Sequence, residues 1–279
     1  MLEPATLDAA AVRSETPCGD GVMVWRAWGA GPPLVLLHGG SGSWRHWMRN
    51  IPVLARTRRV LAPDLPGLGD SASPPSPWSP ESIAAIVAGG LADLLGEAGA
   101  CDLAGFSFGS IIAGHLAALR PALVRSLTLV GAGALGLPRS PTPLQSVREK
   151  TGAAREAAHR ANLASLMFAD PAKIDAQALR IQDWNTRHAR VRSRGLAESG
   201  SLRDALRHVR ARLAAIWGER DAVSWPHIEA RVAVLRALHP EVAIRILPGA
   251  GHWVAYEAAD AFNAAFAELL GAAASRPAR

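Results

Sequence analysis

A serine flanked by two glycines occupies the segment Gly105-Phe106-Ser107-Phe108-Gly109. A short apolar run, Asp102–Phe106, precedes this serine, and a helical pattern, Ser107–Leu119, begins at it. A turn this tight between a strand and a helix leaves no room for side chains at the flanking positions, which favours glycine there and exposes the serine. The motif alone is weak, but in this setting it predicts that Ser107 is a nucleophile for acyl transfer.

A serine hydroxyl needs a general base to become a nucleophile near neutral pH. Of the nine histidines, His252 lies in a glycine-rich turn directly after an apolar run, near the C-terminus and before a final helical pattern, Tyr256–Leu270. A carboxylate must then hold the imidazole in one tautomer. Asp221 follows the run Leu213–Trp217 by four residues, and Glu219 is the competing carboxylate. The sequence predicts that Ser107, His252 and Asp221 act together.

Glycines also follow an earlier apolar run, Pro33–Leu37, in the segment His38-Gly39-Gly40. In acyl transfer the carbonyl oxygen gains negative charge, which needs preorganised hydrogen-bond donors. The backbone N–H groups of Gly40 and Phe108 are predicted to form this oxyanion hole. His38 itself is expected to be structural.

The elements that must position these residues appear as short apolar runs, most of which end at a Gly or Pro turn. Helical patterns such as Ser82–Leu95 lie between several of them, and this alternation predicts a mostly parallel sheet with helices on both faces. Two further segments, Ala11–Thr16 and Met23–Ala27, are expected to form an antiparallel leading edge. The expected parallel strands are Pro33–Leu37, Arg59–Ala62, Asp102–Phe106, Ser126–Val130, Leu213–Trp217 and Val242–Leu247.

The strand–helix alternation stops near Gly136, and from Gln145 to Arg212 the pattern is helical and basic. Residues 139–212 contain thirteen arginines and two lysines against seven acidic residues, a net charge of +8. The rest of the chain then carries −2 of the total of +6. The simplest interpretation is a helical insertion between two strands of one sheet.

The serine, aspartate and histidine occur in the chain order of the α/β-hydrolases, and the resemblance covers almost the whole chain. It includes the glycine-rich segments above and the stretch Asp64-Leu65-Pro66-Gly67-Leu68-Gly69-Asp70-Ser71. The resemblance implies an α/β-hydrolase fold with a helical cap inserted after the sixth strand. The core would comprise residues 1–137 and 209–279, and the cap residues 138–208. We expect no metal and no cofactor.

The resemblance favours a hydrolase that cleaves a carboxylic ester or similar acyl bond through an acyl-enzyme on Ser107. An acyltransferase is a further option, because the same acyl-enzyme could pass its acyl group to an alcohol or amine. A non-catalytic ligand-binding protein of the same fold is a remote alternative, against which the complete triad argues.

A second alternative is a carbon–carbon bond hydrolase acting on ring-cleavage diketones in aromatic degradation. The segments His38-Gly39-Gly40 and Gly251-His252-Trp253 are similar to those enzymes. Two positions depart from their pattern. Phe106 stands where an asparagine is usual, and Asp183 stands before Trp184 where an arginine is usual.

Aromatic and basic residues near the catalytic positions suggest the substrate's character. Trp44, Phe106, Trp184 and Trp253 are predicted to enclose an apolar or aromatic portion, with core packing as the alternative for each. Arg187 is predicted to bind a carboxylate. The expected partner is therefore a small molecule, anionic and aromatic.

Other classes of protein are disfavoured by composition. The pI is near 10.5, but no helix-turn-helix or basic–aromatic motif predicts a nucleic-acid partner. No apolar stretch reaches membrane-spanning length, and residues 1–15 lack the pattern of a signal peptide. The two cysteines, Cys18 and Cys101, have no metal or redox spacing. We expect a cytoplasmic monomer or homodimer without membrane contact.

Overall fold

An eight-stranded, mostly parallel sheet lies at the centre of the computed structural model, which describes residues 3–96, 99–193 and 195–274. The outermost pairings, β1 with β2 and β2 with β4, are antiparallel, and all others are parallel. The spatial order is β1-β2-β4-β3-β5-β6-β7-β8. This confirms the predicted sheet and its antiparallel leading edge. The strands are β1 Val12–Cys18, β2 Gly21–Trp28, β3 Pro33–Leu37, β4 Arg59–Pro63, β5 Cys101–Phe106, β6 Val124–Val130, β7 Arg212–Gly218 and β8 Ala243–Leu247.

Helices cover both faces of the sheet. Along β3, Leu34 and Leu36 join one apolar cluster while Val35 and Leu37 join the other, because successive side chains of a strand point to opposite faces. Within the described residues, no helix combines the length and apolarity that a membrane span requires. The helices are α1 Pro4–Ala9, α2 Ile51–Leu54, α3 Pro80–Leu95, α4 Phe108–Leu119, α5 Gly152–Leu166, α6 Ala176–Arg187, α7 Ser201–Leu206, α8 Ile228–Leu238, α9 Val254–Glu257 and α10 Ala259–Ala274.

The helical insertion lies after the sixth strand, as predicted. Its helices contribute to the apolar clusters on both faces of the sheet. Leu163 of α5 and Ile181 of α6 belong to the apolar cluster that also contains Trp253. Leu202 of α7 joins the opposite cluster and lies against Gly114 of α4. The last helix of the range 138–208 therefore packs directly on a helix that flanks the sheet. Arg194, within that range, and the chain ends 1–2 and 275–279 lie outside the described residues.

Two helix boundaries differ from expectation. The helical pattern expected from Gln145 begins only at Gly152. The helical pattern over Tyr256–Leu270 predicts one final helix, but the structure divides it into α9 and α10 at Ala258, whose φ of −121° and ψ of 48° are not helical. Neither boundary has a proline, so residue type alone does not reveal these breaks.

Candidate active site

The central serine lies between β5 and α4 with unusual backbone angles. Ser107 has φ 52° and ψ −114°, outside the regions that residues with a side chain prefer. A Cβ atom on Gly105 would lie 2.2 Å from the Gly109 carbonyl oxygen, and one on Gly109 would lie 2.5 Å from the Leu37 carbonyl oxygen. Glycine is therefore required on both sides, as expected for a turn that holds a serine at a helix N-terminus.

The structure brings Ser107, His252 and Asp221 together. The Ser107 Oγ is 3.0 Å from the His252 Nε2, and the His252 Nδ1 is 2.9 Å from both carboxylate oxygens of Asp221. Asp221 is buried after β7, and its Oδ1 also accepts the backbone N–H groups of Val223 and Ser224. A carboxylate in this position favours the tautomer with the proton on Nδ1, in which Nε2 can accept a proton from the serine.

The competing carboxylate has a different partner. Glu219 Oε2 accepts the Gly249 N–H at 2.9 Å and is exposed. Its contact connects the loop after β7 to the turn that carries His252, but it does not reach the imidazole.

The two predicted oxyanion donors lie beside the serine. A Cβ atom on Gly40 would be 3.6 Å from the Phe108 Cβ, and both residues line one cavity with Ser107. Neither backbone N–H has a hydrogen-bond partner within the described part of the chain. Phe108 is the first residue of α4, whose N-terminus favours negative charge nearby. The geometry suits stabilisation of an oxyanion.

His38 supports this loop, in keeping with its expected structural role. Its Nδ1 donates to the Gly39 carbonyl at 2.8 Å, and its Nε2 accepts the Leu65 N–H at 2.8 Å. This pattern requires the neutral imidazole. Burial lowers the pKa of His38, against the opposing effect of Asp64, and so favours that neutral form.

A cavity of about 1040 Å³ opens over the serine. Its lining includes Phe106 and Arg187, two of the five residues predicted to bind substrate. Trp44 and Trp253 are fully buried in an apolar cluster instead, and they do not line the cavity. Trp184 is also absent from the lining. Of the four aromatic residues, only Phe106 therefore reaches the space in which a substrate could lie.

The three tryptophans have structural contacts instead. The Trp44 ring centroid lies 5.3 Å from that of Trp28. The indole of Trp253 donates to the His46 carbonyl at 2.9 Å. The ring of Trp184 stacks on His188 with centroids 3.8 Å apart, and the Arg45 guanidinium lies 3.6 Å from the Trp184 ring centroid. Proximity in sequence to the predicted catalytic residues suggested a pocket for these side chains, but large aromatic rings near a site also pack against the structure around it.

The cavity is basic. Within the described residues no aspartate or glutamate lines it, whereas five arginines do: Arg139, Arg148, Arg155, Arg187 and Arg192. Arg180, four residues before Trp184, is not among them and pairs with Glu3 at 3.0 Å.

One carboxylate behind the lining neutralises part of this charge. Asp183 accepts from Arg155 and, at 2.8 Å, from Arg187. Burial alone would raise the pKa of Asp183, but the hydrogen bonds from Arg187 and Arg155 outweigh it and lower that pKa to about 2. Asp183 is thus ionised and compensates one of these two arginines. Arg148 and Arg192 are exposed and have no acidic partner within the described ranges.

Several lining residues carried no signal in the sequence. Arg139 and Arg148 lie in residues 137–151, which form no helix or strand, so no periodicity indicates where their side chains point. Ser193 lines the cavity as well, and its Oγ would be 2.2 Å from a Cβ atom on Gly40. Only the folded chain reveals that this serine from the insertion lies over the segment His38-Gly39-Gly40.

The family follows from this fold and from comparison with known proteins. The chain matches the model of the Alpha/beta hydrolase family over residues 34–265. It therefore belongs to the alpha/beta hydrolase family.

Two curated proteins and one solved structure illustrate its relatives. The chain is 35% identical over 242 residues to a dihydrolipoyllysine-residue acetyltransferase component of an acetoin cleaving system from Pseudomonas putida, covering 84% of this chain and 62% of that protein. It is 40% identical over 113 residues to a 2-hydroxymuconate semialdehyde hydrolase from Pseudomonas sp. strain CF600, covering 39% of this chain and 40% of that protein. Both matches span less than two thirds of the relative's length. An esterase from Rhodococcus sp. ECU1013 shares the fold, with a TM-score of 0.76 and 22% identity over 94% of this chain and 98% of that one.

Proposed function

We propose that the protein is a serine hydrolase that cleaves a carboxylic ester or similar acyl bond through an acyl-enzyme on Ser107. The observation that carries the proposal is the continuous contact from Ser107 through His252 to the buried Asp221, at the floor of an open cavity. The assignment of Gly40 and Phe108 as oxyanion donors belongs to the same proposal.

Each step of the proposed reaction has a group in position for it. His252 Nε2 takes the Ser107 proton as Oγ attacks the carbonyl carbon, and the carbonyl oxygen becomes an oxyanion facing Gly40 and Phe108. His252 then gives that proton to the leaving alkoxide as the ester bond breaks. Water attacks the acyl-enzyme by the same route, returning the proton to Ser107 and releasing a carboxylic acid.

The basic lining supports an anionic substrate. Among the residues that the structure describes, five arginines line the cavity, and one ionised carboxylate, Asp183, pairs with two of them. Such a cavity attracts anions, and a guanidinium can hold a carboxylate by two parallel hydrogen bonds. We therefore propose that the substrate carries a carboxylate or another anionic group away from the bond that is cleaved.

The test is hydrolysis of a panel of p-nitrophenyl esters by the wild type and Ser107→Ala, with Ser73→Ala as an exposed control. We expect Ser107→Ala to lose turnover by roughly 10⁴-fold or more, because no other group can form the acyl-enzyme. Labelling by a fluorophosphonate should disappear with the activity, and Ser73→Ala should behave like the wild type. A Ser107→Ala variant with a tenth of wild-type turnover would refute the nucleophile.

A carbon–carbon bond hydrolase is the second candidate. The 2-hydroxymuconate semialdehyde hydrolase match favours it, as does Arg187 in the cavity lining. Supplying ring-cleavage diketones beside the esters separates the candidates, because the preferred class should have a much larger kcat/KM. Product that forms only when an acceptor alcohol or amine is added would instead indicate an acyltransferase.

A further inference from the structure

A second buried histidine contacts the loop that carries Gly40, residues 38–42, which we call the oxyanion loop. His46 lies in the 3-10 helix Trp44–Trp47 and is 1% exposed. Its Nδ1 accepts the Gly39 N–H at 3.2 Å, while His38 donates to the Gly39 carbonyl. Both peptide groups that meet at the Gly39 Cα are therefore held by an imidazole ring.

These two contacts determine where the Gly40 N–H points. The Gly39 carbonyl and the Gly40 N–H belong to one planar trans peptide, so they point in opposite directions. Gly39 has no side chain to restrict its φ and ψ. His38 holds the peptide after Gly39, and His46 holds the peptide before it. Without His46, the peptide before Gly39 would be free to turn, and the single hydrogen bond from His38 would be left to hold the Gly40 N–H toward the cavity.

The ring of His46 also lies where three parts of the site meet. A Cβ atom on Gly42 would be 2.3 Å from the His46 Cε1, so the oxyanion loop is wrapped closely around the ring. The ring centroid is 5.4 Å from that of Phe106, which precedes the nucleophile, and 5.0 Å from that of Trp253, which follows His252. A displacement of this ring would therefore change the packing of all three segments.

His46 acts as an acceptor and is not suited to proton transfer. Burial, with smaller effects from His38 and His252, lowers the pKa of His46 well below its usual value. The ring is therefore neutral, and because Nδ1 accepts from Gly39, its proton resides on Nε2. Within the described residues, Nε2 has no hydrogen-bond partner.

From these contacts we propose that His46 is a positioning residue that orients the Gly40 N–H toward the oxyanion. The proposal rests on the proposed function, since an oxyanion must form on the carbonyl that Ser107 attacks. Its effect should appear in the transition state, where the charge develops, and hardly in substrate binding.

Two variants distinguish the effect of the Nδ1 acceptor of His46 from the effect of its aromatic ring. His46→Phe keeps an aromatic ring but removes the acceptor, whereas His46→Asn can place its Oδ1 near the position of Nδ1. We expect His46→Phe to lower kcat about 10- to 100-fold with KM within about twofold, since loss of a complete oxyanion donor costs roughly 10²–10³ in kcat. His46→Asn should recover most of this loss.

A trifluoromethyl ketone provides a readout that a purely structural role would not affect, because it forms a tetrahedral adduct with an oxyanion. Its inhibition constant should rise in His46→Phe by the factor lost in kcat/KM, and His46→Asn should restore it. Unchanged kcat and ketone affinity in His46→Phe would overturn the proposal. If His46→Phe does not fold, a His46→Asn variant with kcat lowered more than 100-fold, yet with an unchanged melting temperature, would also overturn it. Failure of the proposed function is recognised separately, by activity that survives Ser107→Ala.

Discussion

At the scale of single residues, two carboxylates in the same loop differ in their hydrogen-bond partners. Asp221 contacts the His252 Nδ1, while Glu219 accepts the Gly249 N–H. We expect Asp221→Asn to lower kcat by about 10³- to 10⁴-fold, because an amide no longer favours the required tautomer. Glu219→Gln is the matched control and should lose less than about tenfold. The measurement is kcat on the best ester for both variants, and the reverse ranking would assign the acid to Glu219.

The sequence predicted some residues of the candidate site and missed others, and the difference has a physical reason. Ser107, Asp221 and His252 lie in turns directly after strands, where the sheet determines their position, so their chain positions were enough to bring them together. Arg148 and Ser193 lie in irregular segments, whose direction depends on contacts distant in sequence. The cavity lining therefore required the folded chain.

At the scale of elements, the sheet was the most predictable part of the molecule. Parallel strands that are buried on both faces appear as uninterrupted apolar runs. β3 coincides with its predicted range, and β5 begins one residue earlier than predicted. The start of α5 and the break before α10 were less predictable, because they depend on tertiary contacts that leave no periodic signal.

One carboxylate joins the insertion to the segment that carries His252. Glu257, at the end of α9, accepts three backbone N–H groups: Ala169 at 3.1 Å, Asp170 at 2.9 Å and Gly251 at 2.6 Å. Glu257→Gln would turn an amide NH₂ toward these donors. We expect the free energy of unfolding to fall by about 1–3 kcal/mol, the cost of unsatisfied buried groups.

The matched control for this variant is Asp260→Asn, at an exposed position in the first turn of α10. Denaturant unfolding should give a change within about 0.5 kcal/mol for it. Equal stability of Glu257→Gln and the wild type would show that the two segments are joined without this carboxylate.

At the scale of the whole molecule, positive charge is concentrated in the insertion, and five arginines of this segment line the cavity. Residues 139–212 carry a net +8, and the remainder carries −2. We expect a carboxylate-bearing ester to have a higher kcat/KM than its methyl-capped analogue at 50 mM salt. The ratio should shrink at 500 mM, because the screening length falls roughly threefold.

The double variant Arg148→Gln/Arg192→Gln should reduce the preference at low salt, since both side chains line the cavity and are exposed. Arg180→Gln removes the same type of charge outside the cavity lining and serves as the control. Equal kcat/KM for the two esters at low salt would exclude electrostatic selection. A preference that salt does not change would point instead to a shielded contact such as Arg155, which is 9% exposed.

The backbone at Ser107, the proposed nucleophile, lowers the thermodynamic stability of the folded chain. Ser107 is held at φ 52° and ψ −114°, a conformation that costs a residue with a Cβ atom on the order of 1–3 kcal/mol. Glycine would relieve most of this strain, at an entropic cost of about 0.5–1 kcal/mol in the unfolded chain. Ser107→Gly should therefore be more stable than Ser107→Ala, which keeps the Cβ atom, by about 1 kcal/mol in denaturant unfolding. If so, part of the stability that the rest of the fold provides is offset by the strain at Ser107, and a requirement for serine in this conformation limits how stable the chain can become.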